Sequence, residues 1–208
     1  MTYKEIENKN LRDLKDEKQI VALHETGHLI AMMALGLYDK FEYITIEPAN
    51  GTSGLTEMTP DAKAAIQKSL NRVAEKAATV SQKAAQMINY SDDYQAFCNL
   101  LCAGAPKLFL PHITRLFAGG SICRYYGKQR DDLCLIDNSL IRNILALYNM
   151  GDKFSEIQAV ADAFLKLVFE RYEKVIKLIC YNLLERKTLN KQDIDNLLAQ
   201  NKDDIFKW

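Results

Sequence analysis

A mainly α-helical fold with one small β-hairpin is what the sequence predicts, and three observations carry it. Gly and Pro are scarce, 9 and 4 in 208 residues, too few for a turn-rich all-β chain. Apolar residues recur at three- and four-residue steps through most of the chain. Alternation of apolar with polar residues is confined to the stretch from Phe41 to Met58. The hydrophobic fraction of 48% and charged fraction of 26% are those of a globular chain. Such a length buries enough apolar surface for one domain spanning 1–208.

Charged residues dominate positions 4–18 with little apolar periodicity, which predicts a frayed or surface lead-in over 1–16. From Glu17 to Leu35, Ile20, Leu23, Gly27, Ile30, Ala31 and Ala34 mark a helix that Gly36 stops. Phe41 to Glu47 and Ser53 to Met58 then form the two arms of the hairpin, separated by Pro48 and Asn50-Gly51. Thr59-Pro60 starts a helix within an Ala/Lys/Gln-rich run that continues to Ile88, and Ser91 caps another reaching Cys102. Pro111 sits in the first turn of a helix running to Tyr126 with Gly119-Gly120 inside it. Each interior glycine costs about 1 kcal/mol relative to Ala, so something packs very close there. Asp137 takes a capping position before the stripe Leu140, Ile141, Ile144, Leu145 and Tyr148. Ser155 and Gln158 have capping-box spacing ahead of an apolar stripe from Ile157 to Leu184, and a short helix closes the chain over about Asn190 to Leu198.

Composition excludes several function classes. Lys+Arg and Asp+Glu are equal at 27 each, and without a basic block the chain lacks the excess positive charge of a nucleic-acid binder. The odd count of 5 cysteines, the absence of a CxxC pair and the absence of a signal-peptide region point to free thiols in the cytoplasm. Direct membrane insertion is not expected, because the most apolar stretch, Val21 to Leu37, is interrupted by His24, Glu25 and His28.

Those three residues are the motif that carries chemistry. His24-Glu25-Thr26-Gly27-His28 is an HExxH sequence inside a helix that the apolar periodicity defines without reference to the histidines. Residues four apart lie one above the other on a helix, so both imidazoles reach one Zn²⁺ while Glu25 projects beside the vacant position as general base. Catalytic zinc usually takes a third protein ligand. His112 is available, as are Asp131, Asp132 and Asp137 downstream of the glycine pair, and spacing does not choose among them.

With these residues in order the chain resembles the peptidase domain of FtsH-type ATP-dependent zinc proteases. The HExxH comes first; Tyr43 to Pro48 and Ser53 to Thr56 look like the family's strand pair, and Leu116 to Gly120 looks like its Gly-Gly helix. Leu183 to Leu189 resembles the segment before its last short helix. The resemblance implies a helical metallopeptidase domain with the hairpin beside the HExxH helix, bound zinc, a polypeptide substrate, and an aspartate as third ligand. Helix periodicity then favours Asp137, with Asp132 as the alternative.

The chain departs from the family in three ways. These 208 residues contain no Gly-x-x-x-x-Gly-Lys-Ser/Thr loop, Cys123-Arg124 replaces the acidic pair after the glycines, and the stretch from Thr59 to Pro111 is longer. The expectation is a stand-alone zinc endopeptidase, ATP-independent in this chain, with a homo-oligomer or a separate ATPase as the partners left open. The alternative is a non-catalytic metal-binding or protein-interaction domain derived from such a peptidase.

Ser53, Gly54, Leu55 and Thr56 are the candidate substrate-binding residues, because an extended edge beside a metal adds a peptide as another strand. Cys98, Cys102 and His112 also have the spacing of a second metal site, although buried free Cys is ordinary core filling.

Overall fold

The computed structural model describes residues 1–48, 52–68, 71, 109–128, 130–147 and 150–205. Helix α2 (Glu17–Ala34) is the axis of the fold. Asp16 caps it by accepting from the Gln19 N–H at 2.9 Å, and the Gln19 side chain returns a bond to the Asp16 N–H at 3.3 Å. Ala22, Leu23, Leu29, Ile30, Ala31 and Met32 are all fully buried, so α2 is enclosed rather than amphipathic. Gly36 follows the helix at a φ of 70°, a left-handed stop that suits glycine.

The elements that enclose α2 come from both ends of the chain. On one side lies α4 (Phe109–Tyr125), following α3 (60–68) in sequence; on another lies α7 (Glu173–Arg186). A Cβ on Gly27 would come within 2.5 Å of Ile122 Cγ2 and 2.7 Å of the Ala118 carbonyl oxygen. The motif's glycine is therefore what lets α4 lie directly against α2. Beyond α4 come α5 (Leu135–Leu147) and α6 (Phe154–Arg171).

A three-stranded antiparallel sheet packs on α2, with strand order β2-β1-β3: β1 (Phe41–Thr45) lies between β2 (Leu55–Met58) and β3 (Thr188–Asn190). Thr45 pairs with Leu55 on one side and Thr188 on the other. The expected hairpin is present, but both arms are shorter, and it is not the whole of the β-structure. Strand β3 is three residues long, too short for an alternation signal, and it exists because β1 offers it a partner. Helices α8 (Lys191–Gln200) and α9 (Lys202–Ile205) follow.

Residues 1–16, expected as a frayed or surface lead-in, lie at the surface with four apolar side chains turned inward. Helix α1 (Tyr3–Ile6) packs on α7, and Tyr3, Ile6, Leu11 and Leu14 are all buried. The Tyr3 N–H donates to Asn201 Oδ1 at 2.6 Å. Those few apolar residues all turn inward, and the charges between them face outward, which is why the charge pattern alone misleads.

Two caps also differ from expectation. Helix α6 begins at Phe154 behind Lys153, so Ser155 caps nothing, and the stripe from Ile157 to Leu184 is two helices parted at Tyr172. Helix α5 begins at Leu135, continuing a 3₁₀ turn over Asp131–Cys134, so Asp137 lies inside its first turn rather than before it. The expected helix from Ser91, the Cys98 and Cys102 pair, and most of the run beyond α3 lie outside the described residues. Among the described residues no helix is long and apolar enough to cross a membrane.

Candidate metal centre

His24 and His28 leave the same face of α2, one turn apart, with ring centroids 4.8 Å apart and rings nearly perpendicular. Helix α4 faces them at Gly119. A Cβ there would stand 2.5 Å from His24 Nε2 and 2.6 Å from His28 Nε2, so the unexplained helical glycine is the space the imidazoles occupy. From the first turn of α5, Asp137 brings its carboxylate to the same point. That helix end carries partial positive charge and favours an anion.

The three donor atoms form a nearly equilateral triangle. His24 Nε2 lies 3.1 Å from His28 Nε2, and Asp137 Oδ2 lies 3.2 Å from each. Around a tetrahedral zinc with bonds of roughly 2.0–2.1 Å, neighbouring donors stand roughly 3.3–3.4 Å apart. The observed triangle fits an ion of that size. The outer ring nitrogen of His28, Nδ1, lies 2.8 Å from the Arg115 carbonyl oxygen and donates to it, so Nε2 keeps its lone pair for the centre. His24 Nδ1 is buried without a partner among the described residues.

The local fields agree with this reading. Burial raises the Asp137 carboxyl pKa, but His28 and His24 more than offset it and hold the group well below the usual carboxylate range. Burial lowers the His28 pKa, and Asp137 overcomes it to leave a net rise. Both shifts express the same need for positive charge between the three groups.

Asp132, the alternative ligand, is exposed and takes no part in the triangle. Its two oxygens accept from Arg130 at 2.8 and 2.6 Å, and that guanidinium lowers its pKa. His112 also stands outside the group of His24, His28 and Asp137. We expect Asp137→Asn to weaken zinc binding at least about tenfold and Asp132→Asn to leave it nearly unchanged. Competition with a chelating dye checks both, and the reverse order would move the third ligand to Asp132.

Glu25 is buried beside the triangle. The Thr56 hydroxyl donates to its Oε2 at 2.8 Å, with the Glu25 carbonyl oxygen an alternative acceptor at 3.0 Å. A Cβ on Gly54 would lie 2.9 Å from Glu25 Cγ and 2.6 Å from Val21 Cγ1. Gly54 and Thr56 thus seat the Glu25 side chain, a contact that the edge-strand idea does not supply. A cavity of about 230 Å³ opens in front, bordered by the two histidines, Glu25, Asp137 and the segment 52–56. All four residues from Ser53 to Thr56 line it, and β2 is an edge strand of the described sheet. Sequence reading missed Arg115, which borders this cavity too. Its signal was visible, since it is the only Lys, Arg, Asp or Glu between Lys107 and Arg124.

No family model matches the chain. It is 28% identical over 194 residues to an ATP-dependent zinc metalloprotease FtsH from Trieres chinensis, an alignment that takes in 89% of this chain and 29% of that protein. The chain therefore spans less than a third of the length of the relative it matches. That similarity suggests an FtsH-related region, in a chain whose His24, His28 and Asp137 form a group that could hold a metal.

Proposed function

We propose that the chain is a zinc-dependent endopeptidase acting on flexible or unfolded polypeptides. The observation that carries this reading is Glu25, held by Thr56 on the wall of the cavity that His24, His28 and Asp137 also border. His24, His28 and Asp137 would hold the metal. When bound, zinc supplies a Lewis acid and brings a water's pKa towards neutrality. Glu25 takes the proton of the attacking water on its carboxylate and delivers it to the leaving nitrogen as the peptide bond breaks. Thr56 keeps that carboxylate from rotating away by engaging Oε2. The free edge of β2 lays the substrate backbone across the cavity, which makes selectivity broad.

Cys123 and Cys180 are buried free thiols, which supports a cytoplasmic setting. Without a phosphate-binding loop in these residues, cleavage by this chain is ATP-independent; a separate ATPase or a homo-oligomer would extend it to folded substrates.

The experiment compares a labelled unfolded protein with its folded form, with and without ATP and a chelator. We expect cleavage of the unfolded form alone, unchanged by ATP and abolished by the chelator. Leu55→Pro removes a backbone N–H from β2 and should slow cleavage about tenfold or more while zinc stays bound. ATP stimulation of the purified chain would refute the ATP-independent reading, and an undiminished rate in Leu55→Pro would refute the edge-strand role.

A further inference from the structure

Arg115 stands one helical turn before Gly119 on α4, on the face that meets the histidines. Its side chain is over nine-tenths buried, and among the described residues Nε has no hydrogen-bond partner. Nη1 donates to the Thr56 carbonyl oxygen at a long 3.5 Å, its one hydrogen bond among the described residues. Burial lowers its pKa, against the pull of Asp137, Glu25 and Glu57. Each of those three carboxylates already has a partner of its own. Glu25 accepts from Thr56 at 2.8 Å, Asp137 faces both histidines at 3.2 Å, and Glu57 is ion-paired with Lys63 at 2.8 Å. A guanidinium buried in this way is costly unless an anion meets it.

Arg115 also borders a second cavity, of about 380 Å³. Leu55, Thr56, Arg115 and Leu140 border both cavities, so the second adjoins the candidate metal centre. Met58, Ile66 and Ile144 give it apolar walls, and Gln67, Asn143 and His112 add polar groups. His112 Nδ1 is likewise buried without a partner among the described residues. Burial and the neighbouring Arg115 push the His112 pKa down to about 3, so the imidazole is a neutral hydrogen-bonding group rather than a second cation. Glu57 and Lys63 border the cavity too, as an ion pair that satisfies both charges, so it offers the Arg115 guanidinium with its fork of donors, neutral polar atoms, and walls suited to a short aliphatic stem.

We propose that this second cavity binds a carboxylate of the polypeptide substrate on the Arg115 guanidinium and so sets which bonds are cleaved. The proposal rests on the peptidase reading above. The carboxylate comes either from a Glu or Asp side chain near the cleaved bond or from the chain's C-terminus, and the two sources are separable.

The test measures binding apart from turnover, using zinc-loaded Glu25→Gln protein and fluorescently labelled ten-residue peptides. One Glu is walked along the peptide against Gln at the same position, and each peptide is made with a free and an amidated C-terminus. We expect one Glu position, or the free C-terminus, to bind about tenfold or more tightly than its neutral counterpart. Adding Arg115→Met should bring that ratio to about one, and Arg115→Lys should keep only part of it because a point charge loses the fork. If Arg115→Met does not fold, the Lys variant carries the test. Zinc content is measured in each variant, because the Arg115 carbonyl that orients His28 is retained. Equal binding of Glu and Gln at every position, together with equal binding of acid and amide, would overturn the proposal; so would a ratio untouched by either Arg115 variant. An Arg115-dependent preference in binding with no cleavage of any peptide by the wild type would support the pocket and sink the peptidase reading. Cleavage without such a preference would do the opposite.

Discussion

Glu25→Gln should retain zinc and lose peptide cleavage by about 10²–10⁴-fold, the range that general acid–base catalysis supplies. The amide nearly preserves the side chain's shape and still accepts the Thr56 hydroxyl proton, so packing against Val21 and Gly54 is kept. What disappears is an oxygen that takes up a proton. The loss should therefore appear in kcat, with KM for an unfolded substrate little changed. Thr56→Val separates positioning from proton transfer, since it frees Oε2 while leaving the carboxylate, and its effect on kcat should be smaller. Zinc titration alongside the kinetics checks the assignment: a Glu25→Gln protein that no longer holds zinc would make Glu25 a ligand, and one with normal turnover would end its role as base.

Gly119→Ala should abolish tight zinc binding without a change to any ligand. The added Cβ falls 2.5–2.6 Å from both Nε2 atoms, closer than non-bonded atoms approach, so at least one imidazole must leave the triangle. Both rings are buried, and the space beside them is the cavity in front, so a ring that yields to the new Cβ moves out of the triangle. We expect zinc affinity to drop about 100-fold or more. In helix propensity alone the same change is favourable by about 1 kcal/mol, so general destabilisation is not the default explanation. Gly151→Ala is the control, since nothing lies within 4 Å of its added Cβ, and its zinc affinity should match wild type. Undiminished affinity in Gly119→Ala would mean that metal binds elsewhere.

The HExxH helix was legible in the sequence because three local signals agree at α2: the Asp16 cap, the apolar steps and the Gly36 stop. Gly119 announced a close approach by its cost in a helix, though not what approached. Asp137 was favoured through the periodicity of the helix it opens, and the structure sets its carboxylate 3.2 Å from both His24 and His28. Other features were invisible for a physical reason, since they depend on partners distant in sequence. Strand β3 has three residues and needs β1; Tyr3 and Ile6 are buried by α7 and α9; Thr56 finds Glu25 only once β2 lies along α2. Local pattern reports what a segment favours, whereas these residues are set by what meets them.

The most direct test of the account is anomalous scattering at the zinc absorption edge from crystals of the zinc-loaded chain. The account predicts one peak per chain, bonded to His24 Nε2, His28 Nε2 and Asp137 Oδ2 at roughly 2.0–2.2 Å, with the remaining position held by solvent. A peak closed by a fourth protein ligand would make the site structural and favour a non-catalytic metal-binding domain. No peak at these residues would contradict the account outright.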